Sequence, residues 1–297
     1  PKPFWSKFSF TVALLQVASP EVPRMSCIRG VGSFTFEARI PGGAASASEA
    51  ATAQEVPCEN EAPTDDSRAV PLVLDTNDGD DLEGSVMWDV AVMLARLLMD
   101  ETKYPNKFFG DRKFIELGAG LGLPGMIAAL RGAKTLLTDI ESVLPLLRQN
   151  VERNFANSEN PGVAKLDWTT LDQDLTAISE ASAGNPTVPA APFDVVLVTD
   201  CVYQERLVKP LVDTLVSITQ PGSVVLLTMR ARFSFQADFL QMLKVWFSGM
   251  PLHPEERHLE GLTQVEDLGA WRLKRRAIPA SHSPTEEGSH AAIPEGS

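Results

Sequence analysis

Phe114-Ile115-Glu116-Leu117-Gly118-Ala119-Gly120-Leu121-Gly122-Leu123-Pro124-Gly125 is the stretch on which the fold turns. An apolar run of strand length leads into three alternating glycines, and a Leu/Met/Ile/Ala segment with a proline near its start leads out. Strand, glycine turn and helix in that order let the chain reverse tightly and leave main-chain amides open to a ligand. Asp139 then ends the next expected strand, Thr135–Asp139. It lies about 20 residues beyond Gly118, the interval at which such a crossover brings a carboxylate to ribose hydroxyls. A nucleoside site is the expectation.

On either side, the chain alternates. Upstream, Ser85 is placed to cap a helix with the stripe Met87, Val90, Ala91, Leu94, Leu97 and Leu98. Lys113–Leu117 reads as a strand and Leu123–Leu130 as a helix stopped at Gly132. Helices are expected over Glu141–Asn154, Leu207–Ile218 and Phe235–Phe247, and strands over Val163–Trp168, Phe193–Thr199, Ser223–Met229 and near Ala270–Arg275. The Ala/Ser/Pro segment before Phe193 reads as an irregular insertion, and the strand before Ala270 is poorly marked. Near-continuous apolar strands between helices predict a doubly wound, mostly parallel α/β sheet.

The flanks have a different composition. Residues 1–40 read as an extension with a strand at Phe34, Phe36, Ala38 and Ile40, whose alternation buries one face. Residues 41–83 are Ala, Ser, Glu and Pro-rich and read as a disordered acidic insertion, residues 84–276 as the folded domain, and 277–297 as a disordered tail. The net charge of −13 is concentrated in those flanks, since residues 41–84 hold eleven acids against the single base Arg68. The near-neutral remainder lacks the basic stripe of nucleic-acid enzymes, so a nucleic-acid partner is not expected. Three cysteines without CxxC spacing support neither a disulfide framework nor a metal site, and neither HExxH nor GxSxG occurs. A reducing compartment follows, cytoplasmic with the nucleus as a second location. The apolar stretch from Phe8 to Ala18 is too short for a bilayer, which needs about 20 residues. A monomer is expected.

Three further clusters narrow the chemistry: Gly84-Ser85-Val86-Met87-Trp88-Asp89 before the glycine loop, Asp167-Trp168 after the third strand, and Asp200-Cys201-Val202-Tyr203 after the fourth. With Glu116–Gly125 they resemble the eukaryotic seven-strand protein-lysine methyltransferases, including those acting on valosin-containing protein, heat-shock chaperones and elongation factors. The resemblance covers about residues 84–276 and implies a class I, Rossmann-like fold of seven strands with S-adenosylmethionine as cofactor. It implies that Glu116 opens the glycine motif and that Gly118, Ala119 and Gly120 cradle the cofactor with their backbone. Asp139 would hold the ribose, Trp168 would lie on the adenine, and Trp88 would pack near the methionine end. Thr199 stands where the family often has a small residue. Asp200 and Tyr203 would form the acceptor end, with Asp200 and the Tyr203 hydroxyl orienting a lysine nitrogen. The implied partner is a protein of the chaperone, AAA ATPase or translation-factor class.

Other readings stay open at this level. Trp88 also suits core packing, and Arg230 and Arg232 suit pairing with nearby acids. The acceptor could be a small molecule, another side chain or a nucleic acid, although no Asn-Pro-Pro-aromatic motif is present. A scaffold without activity would keep the same surface. A nicotinamide dehydrogenase is disfavoured because Leu123 stands where the dinucleotide motif wants Gly or Ala.

Overall fold

The computed structural model describes residues 27–28, 32–40, 68–76, 83–185, 187–253, 256–257, 262 and 265–277. The stretch from 8 to 18, most of the acidic segment 41–83 and the tail from 278 lie outside the described residues. In chain order the elements begin with β1 (Cys27–Ile28), β2 (Gly32–Ile40), β3 (Arg68–Thr76), β4 (Met87–Trp88) and α1 (Asp89–Met99). The core continues with β5 (Lys113–Leu117), α2 (Leu123–Leu130), β6 (Lys134–Asp139), α3 (Leu144–Phe155), β7 (Gly162–Lys165) and α4 (Leu171–Gly184). It ends with β8 (Phe193–Thr199), α5 (Val208–Ser217), β9 (Thr219–Arg230), α6 (Phe235–Trp246), β10 (Phe247–Pro251) and β11 (Leu268–Arg275).

Seven of these strands form one sheet in the order β10-β11-β9-β8-β5-β6-β7. All pairings from β7 through β9 are parallel, and only β11 runs against its neighbours. This is the doubly wound, mostly parallel α/β fold that the apolar strands predict, with the seven strands that the family resemblance implies. Strand side chains alternate between two cores. Phe114 and Leu137 pack with α1, α2 and α3 on one face; Ile115, Leu117 and Leu136 pack with α4, α5 and α6 on the other. Burial on both faces explains why β8 reads as a near-continuous apolar run.

Several boundaries differ from expectation. Residues 68–76, inside the stretch expected to be disordered, are strand β3, paired antiparallel along its whole length with β2. The hairpin buries Phe36, Ala38, Leu72 and Leu74 against the α1–α3 layer, while Thr35, Glu37 and Arg39 face out as the alternation requires. The other edge of β3 is paired by side chains: Asn154 accepts from the Val73 amide (2.8 Å) and donates to its carbonyl (2.8 Å). Asn150 does the same at Asp75 (2.7 and 3.2 Å). Two amides four residues apart on α3 thus stand in for a third strand, satisfying backbone groups that would otherwise be orphaned.

Ser85 caps no α-helix; it ends a short 3-10 turn, and α1 starts at Asp89 because Met87 and Trp88 are held extended by pairing with β1. The Ala/Ser-rich segment expected to be irregular contains helix α4, anchored by Ile178 with Leu171 and Leu175 packed beside it. Trp168 does not end β7. It begins a 3-10 turn after that strand, capped by Asp167, whose carboxylate accepts from the Thr169 amide (2.8 Å). The poorly marked strand before the last is β10.

Candidate active site

Strand order reverses between β5 and β8: the chain winds outward through β6 and β7, then returns to β8 on the other side of β5. Loops leaving such a switch point diverge and open a crevice at the carboxyl ends of the strands. A cleft of about 430 Å³ lies there, between the loop after β5 and the loop after β8. Gly118 and Gly120 both have left-handed backbone, with φ of +60° and +54°. A Cβ on Gly118 would stand 2.8 Å from the Cys201 sulfur and 3.5 Å from the Trp168 indole. A Cβ on Gly120 would reach 3.2 Å from the Gly84 carbonyl oxygen. Any side chain at either position would fill the crevice and strain the turn.

Two carboxyls flank this loop. Asp139 ends β6, and its oxygens accept from the amides of Gly120 and Ile140, each at 2.8 Å. Burial pushes its pKa above the ordinary aspartate value, against the pull of those amides. An ionised carboxylate has about four lone-pair sites, so capacity remains for ligand hydroxyls. Glu116 is fully buried, and desolvation, opposed by the Gly125 amide, pushes its pKa up to about 8. Its Oε2 accepts from that amide at 2.9 Å, in the first turn of α2, while Oε1 has no partner in the protein. Burial thus favours the protonated acid, in which form Glu116 has a hydrogen to donate.

At the other end of the cleft, Asp200 occupies the left-handed region (φ +55°), which Asp tolerates better than most residues. Its amide donates to the Thr228 carbonyl (2.8 Å), its Oδ1 accepts from the Arg230 amide (3.1 Å), and its Oδ2 pairs with the Arg232 guanidinium. Burial raises its pKa and Arg232 opposes that rise. Arg230 pairs with Asp89 at 2.8 Å, so both arginines find the acid partners expected of them. Gln236 is completely buried and ties the site together: its Oε1 accepts from the Arg232 and Phe233 amides, and its Nε2 donates to the Val202 and Arg230 carbonyls.

Trp88, Glu116, Gly118, Ala119, Gly120, Asp139, Trp168, Thr199, Asp200 and Tyr203 all line this one cleft. Sequence reasoning missed Gly84, which lies over the glycine loop, as well as Arg232 as a wall residue and Gln236 as the clamp. Gln236 carries no sequence signal, being one glutamine in the first turn of an otherwise ordinary helix.

The cleft fits S-adenosylmethionine on its own features. Glu116 Oε1, Trp168 Nε1 and Thr199 Oγ1 are buried without partners, and all three residues line the cleft. Leaving a buried polar atom unsatisfied costs about 1–3 kcal/mol, so the cluster calls for a polar ligand. The glycine cradle admits backbone contact, Asp139 offers acceptors for a sugar, and the cleft volume is in the ~300–1,000 Å³ range of small-molecule sites. No group of three or more metal-binding side chains occurs among the described residues.

Comparison with known proteins agrees with this geometry. The chain is 31% identical over 166 residues to Protein N-lysine methyltransferase METTL21A of Xenopus tropicalis, covering 55% of this chain and 68% of that protein. It is 33% identical over 172 residues to the Danio rerio protein of the same name, covering 57% and 71%. It is 30% identical over 203 residues to EEF1A lysine methyltransferase 3 of Mus musculus, covering 67% and 75%. The family model described as lysine methyltransferase matches residues 69–246, and so begins within β3 and takes in the hairpin strand as well as the cleft. By this match and by the cleft it encloses, the chain belongs to the lysine methyltransferase family.

Proposed function

We propose that the protein methylates a lysine side chain of another protein, and that the recipient is a chaperone, an ATPase of the AAA class or a translation factor. The observation that carries this reading is the continuity of the cleft. One crevice joins the glycine cradle and Asp139 at one end to Asp200 and Tyr203 at the other. Relatives named for N-lysine methylation support the acceptor, and one named for EEF1A supports a translation factor among the recipients.

Bound S-adenosylmethionine supplies an electrophilic methyl, which leaves the protein to position a nucleophile. The backbone of Gly118 to Gly120 and the Asp139 carboxylate would hold the nucleoside. Trp168, fixed by the 3-10 turn that Asp167 caps, would supply the aromatic wall for the base. Trp88, extended at the start of α1, would close the amino-acid end. A lysine ammonium has no lone pair and must lose a proton before it attacks. Asp200 and Tyr203 orient the nitrogen by accepting its remaining hydrogens, and water carries the proton away. The reading includes a monomeric enzyme in a reducing compartment, the cytoplasm; the buried, unbridged thiol of Cys201 is in keeping with that compartment.

The test is incubation of the full chain with methyl-labelled S-adenosylmethionine and a cell extract, followed by mass spectrometry. Label on a lysine of a soluble protein is the expected result. Label confined to RNA or to small molecules would overturn the acceptor.

A further inference from the structure

Arg232 is tethered on four sides. Its amide donates to Gln236 Oε1 (2.9 Å), its guanidinium pairs with Asp200, and its Cζ lies 5.5 Å from the Trp88 ring centroid and 5.8 Å from that of Phe233. Its side chain, 30% exposed, forms part of the cleft wall. Gln236, which holds its backbone, also holds the Val202 carbonyl in the loop that carries Asp200 and Tyr203. Pulling the guanidinium away would strand the buried Asp200 carboxylate and give up both ring contacts. Arg232 is a fixed wall, not a plug that an incoming side chain displaces.

This arrangement cancels the charge of Asp200 without saturating it. Each oxygen accepts one hydrogen bond, from the Arg230 amide and from Arg232, and a carboxylate offers about four lone-pair sites. Asp89 of α1 and Arg230 of β9 cancel one another as well. Glu116 and Asp139 face the cleft from β5 and β6, and Cys201 and Tyr203 belong to the Asp200 loop. An entering ammonium would thus meet a guanidinium and a carboxylate already neutralised, while an entering amine keeps both of its hydrogens for bonding to Asp200.

We propose that Arg232 is a positioning residue that aims Asp200 and cancels its charge, so that the acceptor end takes up lysine as the neutral amine, the form able to attack. This deepens, and rests on, the lysine-acceptor reading above.

The test uses a synthetic peptide centred on the lysine that takes up label, with the wild type, Arg232→Met and Arg232→Lys. Calorimetry in two buffers of different ionisation enthalpy reads protons released when the peptide binds the adenosylhomocysteine-loaded enzyme near neutral pH, and kcat is measured against pH. Wild type should release about one proton per peptide and Arg232→Met markedly less; the Met variant's acidic limb of kcat should move up by about one pH unit or more, because a carboxylate left uncompensated beside an amine raises the amine's pKa by that order. Arg232→Lys should keep the wild-type proton count and limb. Adenosylhomocysteine affinity, measured in the same cell, shows that each variant is folded. A uniform loss of kcat with unmoved limb and unchanged proton release, or a Lys variant that behaves like Met, would overturn the inference alone. A wild type that labels no lysine would overturn the acceptor reading and this inference with it.

Discussion

Glu116 and Asp139 sit on adjacent strands, the first buried and the second half-buried, and their protein contacts differ. Asp139 accepts from two amides, while Glu116 accepts from one and keeps an unpartnered oxygen. For Glu116, folding raises the pKa from 4.5 to about 8. The folded state therefore holds a proton that the unfolded chain releases across that window. The resulting stability is fully present below 4.5 and is lost as pH rises through about 8. Replacing Glu116 with Gln removes the titration but keeps an acceptor for the Gly125 amide. Melting the cofactor-free protein at about pH 5 and about pH 9 should show the wild type losing more stability between the two than Glu116→Gln. Parallel losses would mean that Glu116 is not held protonated.

Among the elements, the two loops that build the acceptor end owe their shape to α6. Gln236 satisfies four backbone groups from the loops after β8 and β9 at once. Gln236→Ala leaves buried groups unpaired, so a loss of about 1–3 kcal/mol is expected in denaturant unfolding. Because the clamp grips Val202 and Arg232 and not the glycine loop, kcat should fall further than adenosylhomocysteine affinity. The hairpin depends likewise on α3. Asn150→Ala with Asn154→Ala removes the side-chain edge of β3, and the amides of Val73 and Asp75 should exchange hydrogen faster while those of β5 and β8 do not. Uniform exchange across β3, β5 and β8 would show that the hairpin is not a separate unit.

The same elements show what a sequence can and cannot reveal. β8 and β9 were legible because burial on both faces leaves near-continuous apolar runs, and the glycine loop because its left-handed turns exclude side chains. Strand β3 was not, because its second edge is paired by asparagines more than 70 residues away in sequence, and its acidic flank dilutes the apolar pattern. In α4, Leu171, Leu175 and Ile178 do mark a helical stripe, but alanines and serines mask it. The acceptor end was half legible. Asp200 and Tyr203 could be placed past a strand end from the apolar run before them, with their role implied by the family resemblance, whereas the Asp200–Arg232 pair and the Gln236 clamp exist only once β8, β9 and α6 meet.

In the molecule as a whole, the sheet's reversal between β5 and β8 puts two chemically different ends into one crevice, the glycine loop with Asp139 from β5 and β6 and the Asp200 loop from β8, which the proposed function assigns to nucleoside and acceptor. These two ends should be separable by mutation. The most direct measurement is a calorimetric titration of adenosylhomocysteine into the wild type, Asp139→Ala and Asp200→Ala. One molecule should bind the wild type, Asp139→Ala should bind roughly tenfold or more weakly through loss of hydrogen bonds to a charged acceptor, and Asp200→Ala should bind nearly as the wild type does. No binding to the wild type, or equal losses in both variants, would contradict a nucleoside held between the glycine turn and Asp139.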